Sequence, residues 1–382
     1  MINYISKIKK LLKFLFFSKW VFSLPQKKTF LLVDGLYNPF LKYFDESNFN
    51  IIYRRGESIN IRVILKCILN FNLSSLNYYK QYIKLASPKI IFTAFDYHPI
   101  FYRLSKLSSA KTFMLQKGQR SKSDGILNDK KLINKTNKKD FFVDYIFLYN
   151  KFTSDFYRKY IKGEYLNIGS FENNFEKIKS SKQKKEILFI SNFKIDKNKK
   201  LLSNCENDEK LIYNLHKLAV SQKIKFNVLP RQKGKKESLD EYIFFKNLLK
   251  KNFSFIEKKE NSNSYKIISN YKYVFCTYST LGQEFLSKGG RVGFLFFKSK
   301  NNPTIHFRLG SLVKLPKKGY FWATDVKFNL NELKRVFNFV IKTKENIWKI
   351  KSKPTANKLL KFDYDNKLFR SIVSKELKKN NN

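Results

Sequence analysis

Short, continuously apolar runs separated by longer stretches of helical periodicity constrain this chain more than any other feature. TFLLVD (29–34), NIIYRR (50–55), KIIFTAFD (89–96), KTFMLQ (111–116), YIFLYN (145–150) and EYLNIGSF (164–171) read as strands. Residues 36–46, 59–70, 74–86 and 99–107, and a stretch ending near Ile161, read as helices. A strand that is apolar along its whole length is buried on both faces, as in a parallel sheet covered by helices. After a polar stretch, NNFEKIKSSKQKK (173–185), the pattern restarts. EILFIS, KFNVLPR, FSFIE, YKYVFCTY and RVGFLFF alternate with helical stretches near 206–222, 239–251 and 264–269 and from 281 onward, and helices near 330–342 and 364–379 finish the chain. The expected class is α/β: two doubly wound parallel-sheet halves with a ligand cleft between them. We place the first domain at 26–175 and the second at 176–355, followed by a C-terminal helical stretch (356–382) packing back on the first domain. A length of 382 residues suits two domains.

Composition narrows the possible partners. The formal net charge is +47, which attracts phosphates, nucleic acid or an anionic membrane. Lys, Asn, Ile, Phe and Tyr are all abundant, as AT-rich coding produces, and Lys far outnumbers Arg. A chain built to grip nucleic acid recruits Arg for its bidentate fork, and zinc-ligand spacing, helix-turn-helix punctuation and aromatic RNA motifs are missing. No specific nucleic-acid partner is expected. The cysteines Cys67, Cys205 and Cys276 are scattered and odd in number, which fits a reducing, cytoplasmic compartment. His98, His216 and His306 lack metal-ligand spacing, so neither a metal nor another cofactor is expected. LLKFLFFSKWVFSLP (11–25) is interrupted by Lys13 and Lys19 and is too short to span a bilayer. Residues 1–25 predict an amphipathic helix. It either lies in an anionic inner-membrane surface, with Trp20 and the phenylalanines dipping in, or packs on the protein's own core.

The most informative segment is YKYVFCTYSTLGQEFLSKGGRVGFLFF (271–297). A buried strand runs directly into a helix start at Ser279 and Thr280, and Thr280 with Gln283 has capping-box spacing. The same geometry, N–H groups and a positive dipole beyond the carboxyl end of a parallel strand, receives a phosphate. Gly282 is expected to let a ligand approach the backbone. Glu284 lies one turn into the helix, on the face of Thr280, where a carboxylate accepts hydroxyl hydrogen bonds from a ribose. Arg231 and Lys233 follow a strand and suit a diphosphate. In the first half the loops Asp34-Gly35, Asp96-Tyr97-His98-Pro99 and Gln116-Lys117-Gly118 all follow strands and are expected to face the crevice. Asp96, at the end of an apolar run, is the expected general base, and an N-cap is its alternative role.

These pieces together carry a resemblance. VDG, IIYRRGESIN, KIIFTAFDYHPIFYRL, FMLQKGQR, the IGSF that closes the first half, LPRQ, STLGQE before a small-residue turn, and FWAT resemble bacterial surface carbohydrate (surface polysaccharide) biosynthesis proteins over nearly all of the chain after residue 28. Such proteins look like GT-B glycosyltransferases, with two Rossmann-like domains, and are distantly similar to CDP-glycerol glycerophosphotransferases. The resemblance implies that a nucleotide-sugar donor is held through its diphosphate by Ser279, Thr280, Leu281 and Gly282 and through its ribose by Glu284. It implies a glycan or lipid-linked glycan acceptor, of O-antigen or capsule type, and no bound metal. In related transferases the position of Lys117 often carries His or Asn; the lysine here leaves Asp96 as the expected base and suits Lys117 to a phosphate. CDP-polyol phosphotransfer on the same fold and non-enzymatic binding of membrane or nucleic acid are the alternative functions.

Overall fold

The computed structural model describes residues 18–53, 57–120, 141–178, 183–193, 205–232, 235–259, 262–277, 279–297, 313–325 and 327–379. They divide into two compact units. The first comprises the described residues of Met1–Lys117, Lys122–Glu172 and Asn366–Asn382, and the second those of Gly118–Ser121 and Asn173–Asp365. The chain therefore leaves the first unit at Glu172, just before the expected boundary at 175, and returns to it at Asn366, ten residues later than expected.

The first unit is built on a six-stranded parallel sheet: β2 (Phe30–Val33), β3 (Phe49–Ile52), β5 (Ile90–Thr93), β6 (Lys111–Leu115), β7 (Phe142–Leu148) and β8 (Lys162–Asn167), in the order β3-β2-β5-β6-β7-β8. Every residue of β2 and β5 is buried. Because side chains alternate across a sheet, each strand feeds two cores. Leu31, Val33, Ile91, Met114, Ile146 and Leu148 pack with Val63 and Cys67 of α1 (Ile61–Leu69), Ile83 and Ala86 of α2 (Ser75–Ala86) and Tyr157 of α3 (Lys151–Tyr157). The opposite face is aromatic. Phe92 lies 5.5 Å from Phe30 and 5.4 Å from Phe113, and Phe113 lies 5.8 Å from Phe147. Asn60 caps α1 through Val63 N–H, and Ser74 caps α2 through Asn77 N–H.

Two expected helices are absent here, and a third expectation fails over Lys19–Val21. Residues 1–17 of the expected N-terminal helix lie outside the described residues, and Lys19–Val21 is a strand (β1) paired in parallel with β4 (Ser58–Asn60). The Trp-Val-Phe run has β-propensity, and Pro25 disfavours helix at the residue before it. Residues 36–46 form 3-10 turns, Asn38–Lys42 and Glu46–Asn48, with Pro39 at the start of the first. The 99–107 stretch is likewise a 3-10 segment, Phe101–Lys106.

The second unit has a seven-stranded sheet: β9 (Lys184–Ile190), β10 (Phe226–Leu229), β11 (Phe253–Phe255), β12 (Tyr271–Cys276), β13 (Arg291–Phe297), β14 (Lys318–Gly319) and β15 (Trp322–Asp325), in the order β11-β10-β9-β12-β13-β15-β14. All pairings are parallel except the edge pair β14–β15. Between the strands run α4 (Cys205–Ser221), α5 (Lys235–Leu249), α6 (Ser264–Ser269) and α7 (Thr280–Ser287). After β15 come α8 (Leu330–Lys342) and α9 (Glu345–Leu359). α8 buries Leu333, Val336, Phe337 and Val340, one stripe at helical spacing. The Arg291 guanidinium donates to the Val340 and Thr343 carbonyls at the end of α8 and to Glu345 Oε2 at 2.8 Å, satisfying acceptors that a helix end leaves open. The last helix of the chain, α10 (Lys367–Lys379), belongs to the first unit.

Candidate functional site

In an open parallel sheet ligands bind beyond the carboxyl ends of the strands where the strand order reverses. In the second unit, which has the 3-2-1-4-5-6 order along its parallel strands, that point lies between β9 and β12. The loop after β9 meets the loop after β12 there, through a hydrogen bond donated by Asn192 Nδ2 to Thr277 Oγ1. α7 starts three residues further on, at Thr280. Ser279 is its N-cap by backbone angle (φ −68°, ψ 132°) but provides no side-chain cap. Thr280 is thus the first helical residue, not a capping residue, and Gln283 Oε1 accepts from Gln119 Nε2 at 2.8 Å instead of closing a capping box. Ser279, Thr280 and Leu281 are half-buried. With no hydroxyl from the N-cap folded over them, the first N–H groups of α7 keep the character of an anion site.

Gly282 has a different reason from the one its sequence context suggests. A Cβ at this position would stand 2.6 Å from Cys276 Sγ and 3.2 Å from the Phe294 ring. The glycine lets α7 pack closely on β12 and β13. Burial pushes the Cys276 thiol up to about 12, which suits a packing residue rather than a nucleophile. Glu284 is buried, and its Oε1 accepts from Tyr265 OH at 3.1 Å. Lys288, one turn further along, has its pKa lowered to about 8, chiefly by burial, with Glu284 and Glu176 opposing the shift. Its Nζ is buried without a hydrogen-bond partner.

Beyond β10, the Arg231 and Gln232 N–H groups donate to the two carboxylate oxygens of Glu241, each at 3.0 Å. Glu241 is fully buried. Burial raises its pKa, against the hydrogen bonds from Ser191, Gln232 and Arg231 and the charge of Lys258. Lys258 Nζ also donates to Pro230 O at 3.0 Å. This clamp fixes the loop while the Arg231 side chain stays exposed. Lys233 lies outside the described residues.

In the first unit the order reverses between β2 and β5. Asp34 and Gly35 follow β2 with φ of 82° and 116°. The loop after β5 carries Asp96 and His98. Asp96 does not end the strand, which stops at Thr93. It is fully buried, and its Oδ2 accepts from Tyr157 OH at 2.7 Å while its carbonyl accepts from Tyr102 OH at 2.7 Å. This carboxylate ties the β5 loop to α3. His98 Nε2 lies 3.4 Å from Asp34 Oδ1. Gln116 is buried and ties the end of β6 to the end of β7, its Oε1 accepting from Tyr149 N–H. Lys117 is exposed, with Nζ 5.3 Å from the Tyr37 ring and 5.7 Å from that of Phe95. Gly118 has φ 87° and open space around the position of a Cβ. It is assigned to the second unit, whereas Gln116 and Lys117 belong to the first.

Comparison with known proteins places this geometry in context. Residues 113–377 match the model of a family described as "putative O-antigen biosynthesis protein". No curated protein sequence matches the chain. Among solved structures, a variant of the wall teichoic acid polymerase TagF superposes with a TM-score of 0.54 at 12% identity, covering 93% of this chain and 89% of that one. MurG of Acinetobacter baumannii gives 0.50 at 8% identity, covering 92% and 99%. A Listeria monocytogenes protein described as a "putative UDP-N-acetylglucosamine 2-epimerase" gives 0.52 at 10% identity, covering 88% and 93%. TagF and MurG are GT-B folds. The chain therefore has the GT-B fold and belongs to the O-antigen biosynthesis protein family.

Proposed function

We propose that the chain is a glycosyltransferase that moves a sugar from a nucleotide-sugar donor to a surface polysaccharide acceptor of O-antigen or capsule type. One observation carries the reading: α7 starts at the strand-order reversal of the second unit with no side-chain cap on its N-terminus. Ser279, Thr280 and Leu281 then supply hydroxyl and N–H donors to the donor diphosphate, and Arg231 and Lys233 supply cationic ones. The helix dipole and these side chains offset the charge on the leaving phosphate, a task that in other transferases falls to a metal ion. Glu284 addresses the ribose from one turn inside the helix, on the condition that the Tyr265 contact opens.

Changing Ser279→Ala together with Thr280→Val tests the assignment. Neither hydroxyl caps the helix, so the fold should hold. Losing two hydrogen bonds of about 0.5–1.5 kcal/mol each should weaken binding roughly 5- to 150-fold. Calorimetry with UDP, GDP and CDP is the measurement, and affinities unchanged in the folded double variant would remove the site from α7.

The same proposal places the enzyme on the cytoplasmic face of an anionic membrane. No helix among the described residues is long and apolar enough to cross a bilayer. Phe22 and Phe71 are 66% and 99% exposed, and Arg62 and Lys66 are exposed on α1. Apolar tips beside cations suit an interface with acidic headgroups. Phe22→Glu with Phe71→Glu should reduce flotation with phosphatidylglycerol vesicles while leaving the melting temperature in place. Equal flotation of variant and wild type would sink this placement.

A further inference from the structure

We infer that Asp34 is the proton acceptor of the transfer reaction and that His98 is the residue that positions it. The inference rests on the transferase reading above and names the group that its chemistry needs in the first unit. Asp34 stands at the carboxyl end of β2, beside the reversal of strand order, and the β5 loop on the other side of that reversal carries His98.

Three independent features single out this carboxylate. Its φ of 82° is in a region that residues other than glycine seldom occupy, though Asp tolerates it better than most. The conformation is held from both sides, by the bond from Asp34 N–H to Ile52 O at 2.9 Å and by Thr93 Oγ1 donating to Val33 O at 3.3 Å. The Asp34 side chain is only 7% exposed, yet both its oxygens are buried without a hydrogen-bond partner. A buried carboxylate is ordinarily satisfied, as Asp96 is by Tyr157. Unsatisfied lone pairs in a strained, over-determined backbone are what a ligand site retains. The third feature is the imidazole. His98 is 1% exposed and packs edge-on against Tyr79 at 6.2 Å. Its Nδ1 accepts from Phe101 N–H at 3.3 Å, so Nε2 carries the proton and turns it towards Asp34.

The step balances as a single displacement. A lone pair of the acceptor hydroxyl forms the new bond to the anomeric carbon. The bond from that carbon to the diphosphate oxygen breaks, and its electron pair leaves on the nucleoside diphosphate. The hydroxyl proton passes to Asp34, while the His98 Nε2–H holds the carboxylate in orientation. With water as acceptor the same step is donor hydrolysis, so an unidentified glycan does not prevent the test.

The experiment combines turnover with stability on the full chain. UDP-, GDP-, CDP- and dTDP-sugars are supplied with water as acceptor, and free nucleotide is measured. Asp34→Asn keeps the size and the tolerance of positive φ, and should lower release about 10²- to 10⁴-fold with calorimetric nucleotide affinity unchanged. Its melting temperature should equal or exceed that of wild type, because a buried carboxylate whose oxygens lack a hydrogen-bond partner is gone. His98→Phe should lower release in parallel, and His98→Gln, which keeps an N–H donor, should restore part of it. Near-normal release by Asp34→Asn overturns the inference, as does a lowered melting temperature with release falling only in proportion to lost protein. Wild-type protein that binds no nucleotide contradicts the transferase reading instead; the melting temperature of Asp34→Asn then still decides whether the carboxylate is a structural fixture.

Discussion

Replacing Phe369 by alanine is expected to destabilise the first unit by about 3–5 kcal/mol, the range for losing a buried phenylalanine from a packed core. Phe369 is fully buried. Its ring lies 4.9 Å from Phe171, 5.2 Å from Phe147, 5.9 Å from both Phe40 and Phe92, and 6.4 Å from Phe113. These partners come from β5, β6, β7 and the segments flanking the sheet, so one side chain near the end of the chain completes the aromatic core of the first unit. α10 is fixed at other points as well. Asn366 Nδ2 donates to Phe171 O at 3.0 Å, and Tyr145 OH donates to Glu376 Oε1 at 2.9 Å. The remaining rings are too large to collapse into the space, which places the cost at the upper part of the range. Urea unfolding followed through the first-unit aromatics is the check. A change below about 1 kcal/mol would mean that α10 is not part of that core.

The strands and helices with a strong period were legible in the sequence because their pattern is local. After Arg291, RVGFLFF is apolar throughout and is strand β13 over the same residues, and α8 shows its stripe of Leu333, Val336, Phe337 and Val340 at helical spacing. The elements that escaped lack such a pattern. β1 and β4 have three residues each and exist through their pairing. α9 is rich in lysine, contains Pro354 and is held by the buried Trp348 rather than by a continuous apolar face. The site was legible to a similar depth. The segment from Ser279 to Glu284 announces itself as a strand running into a helix start, but Gly282 proves to serve packing, and the capping box dissolves because Gln283 faces Gln119. Asp96 looked like a strand end because Ala94 and Phe95 extend the apolar run past Thr93. Asp34 and His98 come from loops far apart in sequence. Their pairing depends on the order of the strands, which the local pattern does not encode. Glu241 was missed for the same reason: it sits on α5 and reaches back to the N–H groups of the β10 loop.

The central claim is that the second unit holds a nucleotide-sugar by its diphosphate and that the bond broken is the one to the sugar. An uncapped helix start together with the exposed Arg231 side chain suits charge that accumulates on a terminal diphosphate oxygen. The most direct test supplies UDP-, GDP-, CDP- and dTDP-sugars, and CDP-glycerol beside them, to the full chain with a lipid extract of bacterial membranes as acceptor, and identifies the nucleotide set free. A nucleoside diphosphate should be released from at least one sugar donor, at a rate that falls roughly 5- to 150-fold in the Ser279→Ala, Thr280→Val double variant. Release of CMP from CDP-glycerol, with no diphosphate from any sugar donor, would contradict the central claim and assign the fold to phosphotransfer.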